Sequence, residues 1–317
     1  MAGTPDVSVA VATRNRRDLL VQLLESLKAQ TLPRESFEVV VVDDGSTDGT
    51  PELLARERDA GELQLQVIRR ERAEGPAAAR NDAWRAAGAP LVAFTDDDCT
   101  ATPRWLEAGV AASRAEPGAI VQGRTDPRPD QLDRISPFSR TQIIHGVGPL
   151  YETCNIFYPR RLLEELDGFA ADTYSMPAGE DTDLAWRALE RGVEARYEPE
   201  ALVHHAVLPA GPVGMLRSAL RWHTAIPVFA RHPELRRVHL HRGVFWSDVH
   251  EHLLRFLLGL VVARRSRLVA LVLCRPYLIR LVRRRSGPLL APYILLLDLV
   301  ELASVLRGAA RSRVLVV

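Results

Sequence analysis

Cysteine is scarce in this chain: Cys99, Cys154 and Cys274 are the only three in 317 residues, and their spacing matches neither a metal-binding nor a disulfide pattern. That excludes a disulfide framework and makes a reducing compartment the expected setting. Glycine is missing where a dinucleotide fingerprint needs it. The loop after the first apolar run reads Thr13-Arg14-Asn15-Arg16-Arg17-Asp18, which disfavours the close backbone approach to a pyrophosphate made by Rossmann dehydrogenases. No basic head followed by an apolar stretch opens the sequence, so no secretion signal is expected. Aromatic residues make up only 6% of the chain, and the basic residues of its last third are interleaved with leucine and valine. Without stacking rings beside the positive charge, no nucleic-acid partner is expected.

Net charge is also nearly absent, at +1. That balance conceals an asymmetry: residues 212–317 hold 18 arginines against five acids, and residues 1–211 hold 23 lysines and arginines against 35 acids. Two regions are therefore expected, an acidic catalytic domain over 1–211 and a helical, arginine-rich region over 212–317 with an anionic partner.

What is present begins with alternation. Valine-rich Val7–Ala12 gives way to leucines at helical spacing from Leu19 to Leu27, a strand followed by a helix. Phe37–Val42 is a second strand ending in Asp43-Asp44-Gly45-Ser46, with a helix from about Pro51. Gln64–Ile68 is a third, and Gly75-Pro76 opens a helix running to about Ala87. Strands alternating with helices predict repeated βαβ units and a mostly parallel α/β sheet flanked by helices. The fourth strand, Leu91–Phe94, runs into Asp96-Asp97-Asp98. Three adjacent like charges repel one another and call for a positive partner. At the carboxyl end of a strand, where such sheets bind ligands, a divalent cation bridging to phosphates meets that need. Further along, Leu106–Ala115 reads as a helix and Ala119–Gly123 as a short strand. Thr125–Ser139 reads as a proline-rich polar loop of the kind that covers a ligand. Cys154–Tyr158 is a strand, a helix with an acidic first turn starts near Glu180 and Asp181, and a last short strand within residues 195–207 carries His204 and His205.

In this order the motifs over residues 7–207 resemble the family 2 glycosyltransferases, inverting hexosyltransferase-type enzymes of GT-A fold that use nucleotide-sugar donors. The resemblance implies that Thr13, Asn15, Asp43 and Asp44 hold the base and ribose and that Arg80 lies over the donor. It maps the Asp-x-Asp motif to Asp96 and Asp98, with Asp97 in the middle position against the donor. Asp98, with Asp96, would bind Mn or Mg, and His205 or its neighbour His204 would complete the metal site. The Glu-Asp motif maps to Glu180 and Asp181, with Asp181 as general base. Asn155 falls where the family has an Asn near the acceptor, although Cys154 replaces the small residue before it. The chemistry agrees: a metal offsets charge on a diphosphate leaving group, while an acid on the far side deprotonates the attacking hydroxyl. Trp105, Trp186 and Asp183 read as structural.

Ser218-Ala219-Leu220-Arg221-Trp222 resembles the Gln-x-x-Arg-Trp motif of processive synthases but has serine in place of glutamine, which implies one sugar per encounter. The apolar stretches Leu253–Ala263 and Leu268–Val282 fall short of the roughly twenty residues a spanning helix needs. Leu289–Leu306 comes closer but contains Asp298 and Glu301. With Arg264, Arg265, Arg267 and Arg283–Arg285 beside them, these stretches suit helices lying in an anionic membrane interface, placing the protein in the cytoplasm at the inner face of the cell membrane, the alternative being a helical subdomain packed against the catalytic domain. The expected acceptor is a cell-envelope glycan or lipid-linked saccharide. A sugar-phosphate nucleotidyltransferase is disfavoured by the glycine-free first loop. A catalytically silent, membrane-tethered glycan- or nucleotide-binding module is the non-enzymatic alternative.

Overall fold

The computed structural model describes residues 4–283 and 288–317. Two compact units divide it: residues up to Ile135 with Arg140–Leu208, and Ser136–Ser139 with Pro209–Val317. Arg284 and Arg285, part of the expected basic flank, lie outside the described residues.

In the first unit β1 (Val7–Thr13), α1 (Arg17–Lys28), β2 (Phe37–Asp43), α2 (Thr50–Ala60), β3 (Leu65–Arg69), α3 (Pro76–Ala86) and β4 (Leu91–Thr95) alternate as expected. β5 (Cys99–Ala101), α4 (Trp105–Ala115), β6 (Ile120–Pro127), β7 (Ser139–Arg140), β8 (Asn155–Pro159), α5 (Arg160–Leu166), α6 (Glu180–Leu189), β9 (Ala195–His205) and β10 (Leu208–Pro209) follow. Eight strands hydrogen-bond in the order β3-β2-β1-β4-β8-β6-β9-β5. β3, β2, β1 and β4 are parallel, whereas β8 runs antiparallel to both β4 and β6, and β5 antiparallel to β9. The sheet is thus an α/β sheet whose first half is parallel and whose second half is mixed.

Helices cover both faces because the strands are apolar on both. Val9 and Val11 join the leucines of α1 in one core, and Ala10 with Val40 and Val42 joins α3, α5 and α6 in the other. Continuous burial of this kind fits strands sandwiched between helical layers. Two expectations need correction. β9 is eleven residues, not a short strand, and the segment after Gly123 is not loop throughout, since β6 continues to Pro127 and a 3₁₀ turn spans Pro129–Arg134.

The second unit is helical: α7 (Gly211–Ala219), α8 (Pro227–Arg231), α9 (Pro233–His239), α10 (Asp248–Val262), α11 (Arg267–Arg283) and α12 (Ala291–Ser312). Leu253, Tyr277, Leu281, Ile294 and Leu302 form its core. Among the described residues, Pro288–Ser312 is the one helical stretch long and apolar enough to cross a membrane. Its acids are turned to partners: Tyr277 Oη donates to Asp298 Oδ2 at 2.8 Å, and Glu301 Oε1 lies 3.6 Å from His250 Nε2.

Candidate functional site

The carboxyl ends of β1, β2 and β4 come together because those strands are neighbours in register, Thr13 beside Asp43 and Ala10 beside Phe94. Loops leaving them are latched to one another. Asn15, at φ 53°, receives Thr47 N–H on its Oδ1 at 2.7 Å and donates its own N–H to Ser46 Oγ at 2.9 Å. Asparagine tolerates that left-handed conformation better than most residues. Asp43 Oδ1 accepts Ser46 N–H at 2.8 Å. Its Oδ2 is buried without a hydrogen-bond partner among the described residues, 3.8 Å from Arg69 Nε. Asp44 accepts the N–H groups of Glu74 and Gly75, both at 2.9 Å, and so ties β2 to the start of α3. Gly75 has φ 99°, and a Cβ there would collide with the Ser175 carbonyl, so no larger residue fits. Beside Asp43, Gly45, Ser46, Thr47, Arg69, Arg70 and Glu71 line an open cavity of about 350 Å³.

Much of the positive charge that the three consecutive aspartates require comes from the protein itself. Arg16 Nη1 donates to Asp97 Oδ1 at 2.9 Å and to Asp98 Oδ2 at 2.6 Å, while Thr13 Oγ1 donates to Asp97 Oδ2 at 2.8 Å. Both oxygens of Asp97 are therefore engaged within the protein. Burial pushes its carboxyl up to about 6, opposed by Arg16 and reinforced by the charge of Asp98. Arg80, buried on α3, donates to Asp96 Oδ1 at 2.8 Å and to Glu180 Oε1 at 3.0 Å. Burial raises the Asp96 carboxyl, but the charge and hydrogen bond of Arg80 outweigh it and hold it below its ordinary range.

Arg80 thus joins the tip of β4 to the first turn of α6. Glu180 Oε2 also accepts Ala178 N–H at 2.8 Å. Next to it, half-buried Asp181 receives Thr182 N–H on Oδ1 at 2.9 Å. Burial, then the charges of Glu180 and Glu152, hold its carboxyl well above the ordinary value against the pull of Arg80.

Strand alternation separates the two histidines. β5 pairs with β9 so that Cys99 faces His205 and Thr100 faces His204. His205 Nε2 lies 3.3 Å from Asp98 Oδ1, whereas burial lowers the affinity of His204 for a proton, opposed by the charge of Asp126. His205 Nδ1 is 2.8 Å from the Ala206 carbonyl, to which it donates, so the neutral ring presents the lone pair of Nε2 toward Asp98 Oδ1. That oxygen is buried and has no hydrogen-bond donor among the described residues. Two facing acceptors in a buried spot fit a cation between them. Among the described residues no group of three or more His, Cys, Asp or Glu side chains converges as a metal site.

Asn155 does not line this site. It is fully buried, accepts Trp105 Nε1–H at 2.8 Å and donates to the carbonyls of Arg124 and Ala201, both at 2.7 Å, stitching β8 to β6 and β9. Gly123 faces it, where any Cβ would collide with its amide. Arg16 and Glu152 are site residues that sequence reasoning missed. The basic run of the first loop was a signal for Arg16, but its partners lie more than eighty positions away.

The chain is 28% identical over 218 residues to glycosyltransferase AglE of Haloferax volcanii, covering 67% of this chain and 69% of that protein. It is 28% identical over 244 residues to the pre-mycofactocin glycosyltransferase of Mycobacterium tuberculosis, covering 72% of this chain and 48% of that one, so it spans about half the length of this relative. Among solved structures, a mannosyltransferase from Pyrobaculum calidifontis in complex with GDP-Man and Mn2+ superposes with a TM-score of 0.67 at 24% identity, covering 98% of this chain and 88% of that one, and so shares the GT-A fold. The profile of glycosyl transferase family 2 matches residues 8–176, more than half of the sequence, and the chain belongs to that family.

Proposed function

We propose that this chain is an inverting, metal-dependent hexosyltransferase that moves a sugar from a nucleotide diphosphate, a UDP-sugar, to a hydroxyl of a cell-envelope glycan or lipid-linked saccharide. The observation that carries the reading is the Arg80 bridge, whose 2.8 and 3.0 Å contacts to Asp96 and Glu180 bring the acidic tip of β4 and the start of α6 into one site.

On the donor side, Asp43 has one carboxylate oxygen without a partner. A single buried acceptor matches the one N–H on the pairing edge of uracil, whereas guanine presents two adjacent donors. Thr13 and Asn15 hold the loop that walls this side, and Asp44 fixes the opposite loop against α3. Asp98 Oδ1 and His205 Nε2 would hold the metal, and a carboxylate with one imidazole favours Mn over Mg. When bound, such an ion offsets the charge that develops on the departing diphosphate. Asp96 and Asp97, engaged by Arg80, Arg16 and Thr13, keep the acidic tip ordered, and Arg80 orients the donor above it.

On the acceptor side Asp181 takes the hydroxyl proton as the oxygen attacks the anomeric carbon. A base works best when its pKa approaches the working pH, and the burial and neighbouring acids of Asp181 move it in that direction. Glu180 remains with Arg80 and fixes the helix turn that carries the base. Single displacement converts an α-linked donor into a β-linked product. The helical unit makes peripheral contact with an anionic membrane at the cytoplasmic face.

Thermal melting against a panel of nucleotide sugars tests the donor assignment, since a ligand that binds only the folded state raises the melting temperature. UDP-sugars should raise it in the presence of Mn2+ and not in its absence. A shift given by GDP-sugars alone would overturn the uracil assignment, and one independent of any divalent ion would overturn the metal's role.

A further inference from the structure

Helix α11 carries two apolar stripes where a soluble helix needs one. Ala270, Cys274, Tyr277 and Leu281 recur at helical spacing and are buried. On another side, Leu268, Leu271, Val272, Leu278 and Val282 recur at the same spacing and are exposed, the first three to 63–73%. Near its end α10 adds exposed Leu258, Leu260 and Val261, and the two helices pack closely, since a Cβ on Gly259 would meet Cys274 Sγ. The exposed aliphatics therefore lie on a packed hairpin and not on a frayed end. Patches of this kind on a folded chain mark interaction surfaces.

Charge indicates what covers it. From Glu251 to Asp298 the sequence contains no carboxylate between those two residues and nine arginines. Among the described residues two of them are neutralised inside the unit, Arg255 by Glu251 at 2.5 Å and Arg280 by Asp248 at 2.6 Å. Arg264, Arg265 and Arg267 at the turn between the helices, with Arg275 on the exposed stripe, are themselves exposed. A second protein would have to supply an apolar patch ringed with acids. A bilayer interface supplies both properties at once, with acyl chains below and phosphates at the level reached by arginines whose stems lie along apolar surface.

We infer that the outer face of the α10–α11 hairpin, Leu268, Leu271, Val272 and Leu278 with Arg264, Arg265 and Arg267, is the surface through which the protein docks on an anionic bilayer. The inference rests on the membrane contact proposed above and gives it a location. The hairpin lies in the interface and does not cross it. At ~1.5 Å per residue α11 is about 25 Å long, short of the ~30 Å hydrocarbon core, and it carries Pro276 and Arg275 at mid-length. α12 serves as its support, with Asp298 directed to Tyr277 of the buried stripe.

Flotation of the full chain with phosphatidylcholine vesicles, with and without phosphatidylglycerol, tests this. The parent should float with the anionic vesicles only. L268S/L271S/V272S should lose flotation, and R264Q/R265Q/R267Q should bind about 100-fold more weakly, at about five-fold per arginine. Both variants should keep the parental melting temperature and donor hydrolysis, because the changed side chains are exposed and belong to no part of the proposed transfer site. A parent that floats together with both variants would overturn this face and leave the broader membrane reading standing. A parent that never floats would overturn both, while intact donor hydrolysis would leave sugar transfer untouched. Retention on vesicles through alkaline carbonate would replace the interfacial hairpin with a spanning helix. Dimerisation without lipid that L268S/L271S/V272S abolishes would assign the face to a second copy of the chain.

Discussion

At the strand tips Asp44, Asp96 and Asp97 each have a donor from another segment, backbone N–H groups for the first, Arg80 for the second, and Thr13 with Arg16 for the third. At the start of α6, Asp181 receives among the described residues the N–H of its own neighbour alone, and the charges of Glu180 and Glu152 act on its carboxyl against Arg80. Arg80 thus holds the Asp96 carboxyl below its ordinary range and fixed in place, whereas burial and like charge push Asp181 toward neutrality. Fixed anions suit binding, because they organise a ligand without exchanging protons with it. A carboxyl raised by burial and like charge suits proton transfer. On the proposed function, the contrast divides the site into a half that would hold the donor and a half that would react.

The largest expected effect breaks the reacting half alone. Asp181→Asn should lower turnover about 10³-fold, within the range general-base catalysis contributes. Donor affinity measured by calorimetry should stay at the parental value, and a parallel loss of donor binding would erase the division. Asp98→Asn attacks the other half. It should weaken Mn2+-dependent donor binding on the order of 100-fold, since the ion's charge stabilisation amounts to several kcal/mol. Titration of Mn2+ by electron paramagnetic resonance reads this without turnover, and unchanged Mn2+ affinity would remove Asp98 from the metal site.

Asn155→Ala sharpens the boundary between site and scaffold. It strips partners from a buried indole N–H and two buried carbonyls, so chemical denaturation should show a loss of about 3 kcal/mol. The KM for acceptor should be unchanged in the folded fraction, whereas an acceptor defect without destabilisation would return Asn155 to the site. The smallest effect is electrostatic. As the proposed base, Asp181 would work only when deprotonated, so activity should fall as pH drops through its raised pKa. Glu152→Gln removes one of the charges that raise it. The acid limb of the pH–rate profile should move to lower pH with little change in the plateau, and a limb that stays in place or moves upward would show that Glu152 does not act on the base.

How far the sequence could be read follows from the range of the interactions that decide each feature. β1 to β3 were legible because each is followed in the chain by its helix, and β4 because its apolar run stops at three aspartates, so periodicity and turn residues carry the pattern locally. β5 was not, because three residues have no periodicity and become a strand only by pairing with β9 about a hundred positions later. β9 looked short because Arg196, Glu198 and Glu200 interrupt its apolar pattern, and its pairing with β6 shifts register at Gly123/Arg124. The acidic strand ends were visible as motifs, and the structure brings Asp96 and Glu180 to one arginine. Which histidine faces Asp98 depended on register, and the role of Arg16 as a counter-ion depended on a contact spanning 82 positions.

The account stands on Asp181 acting from the side of the sugar opposite the diphosphate, and proton NMR of the first-formed product tests that most directly. From an α-linked UDP-sugar the newly made linkage should show the large anomeric coupling of a β-glycoside in a gluco-configured sugar. An α-linked product, formed with net retention, would contradict it.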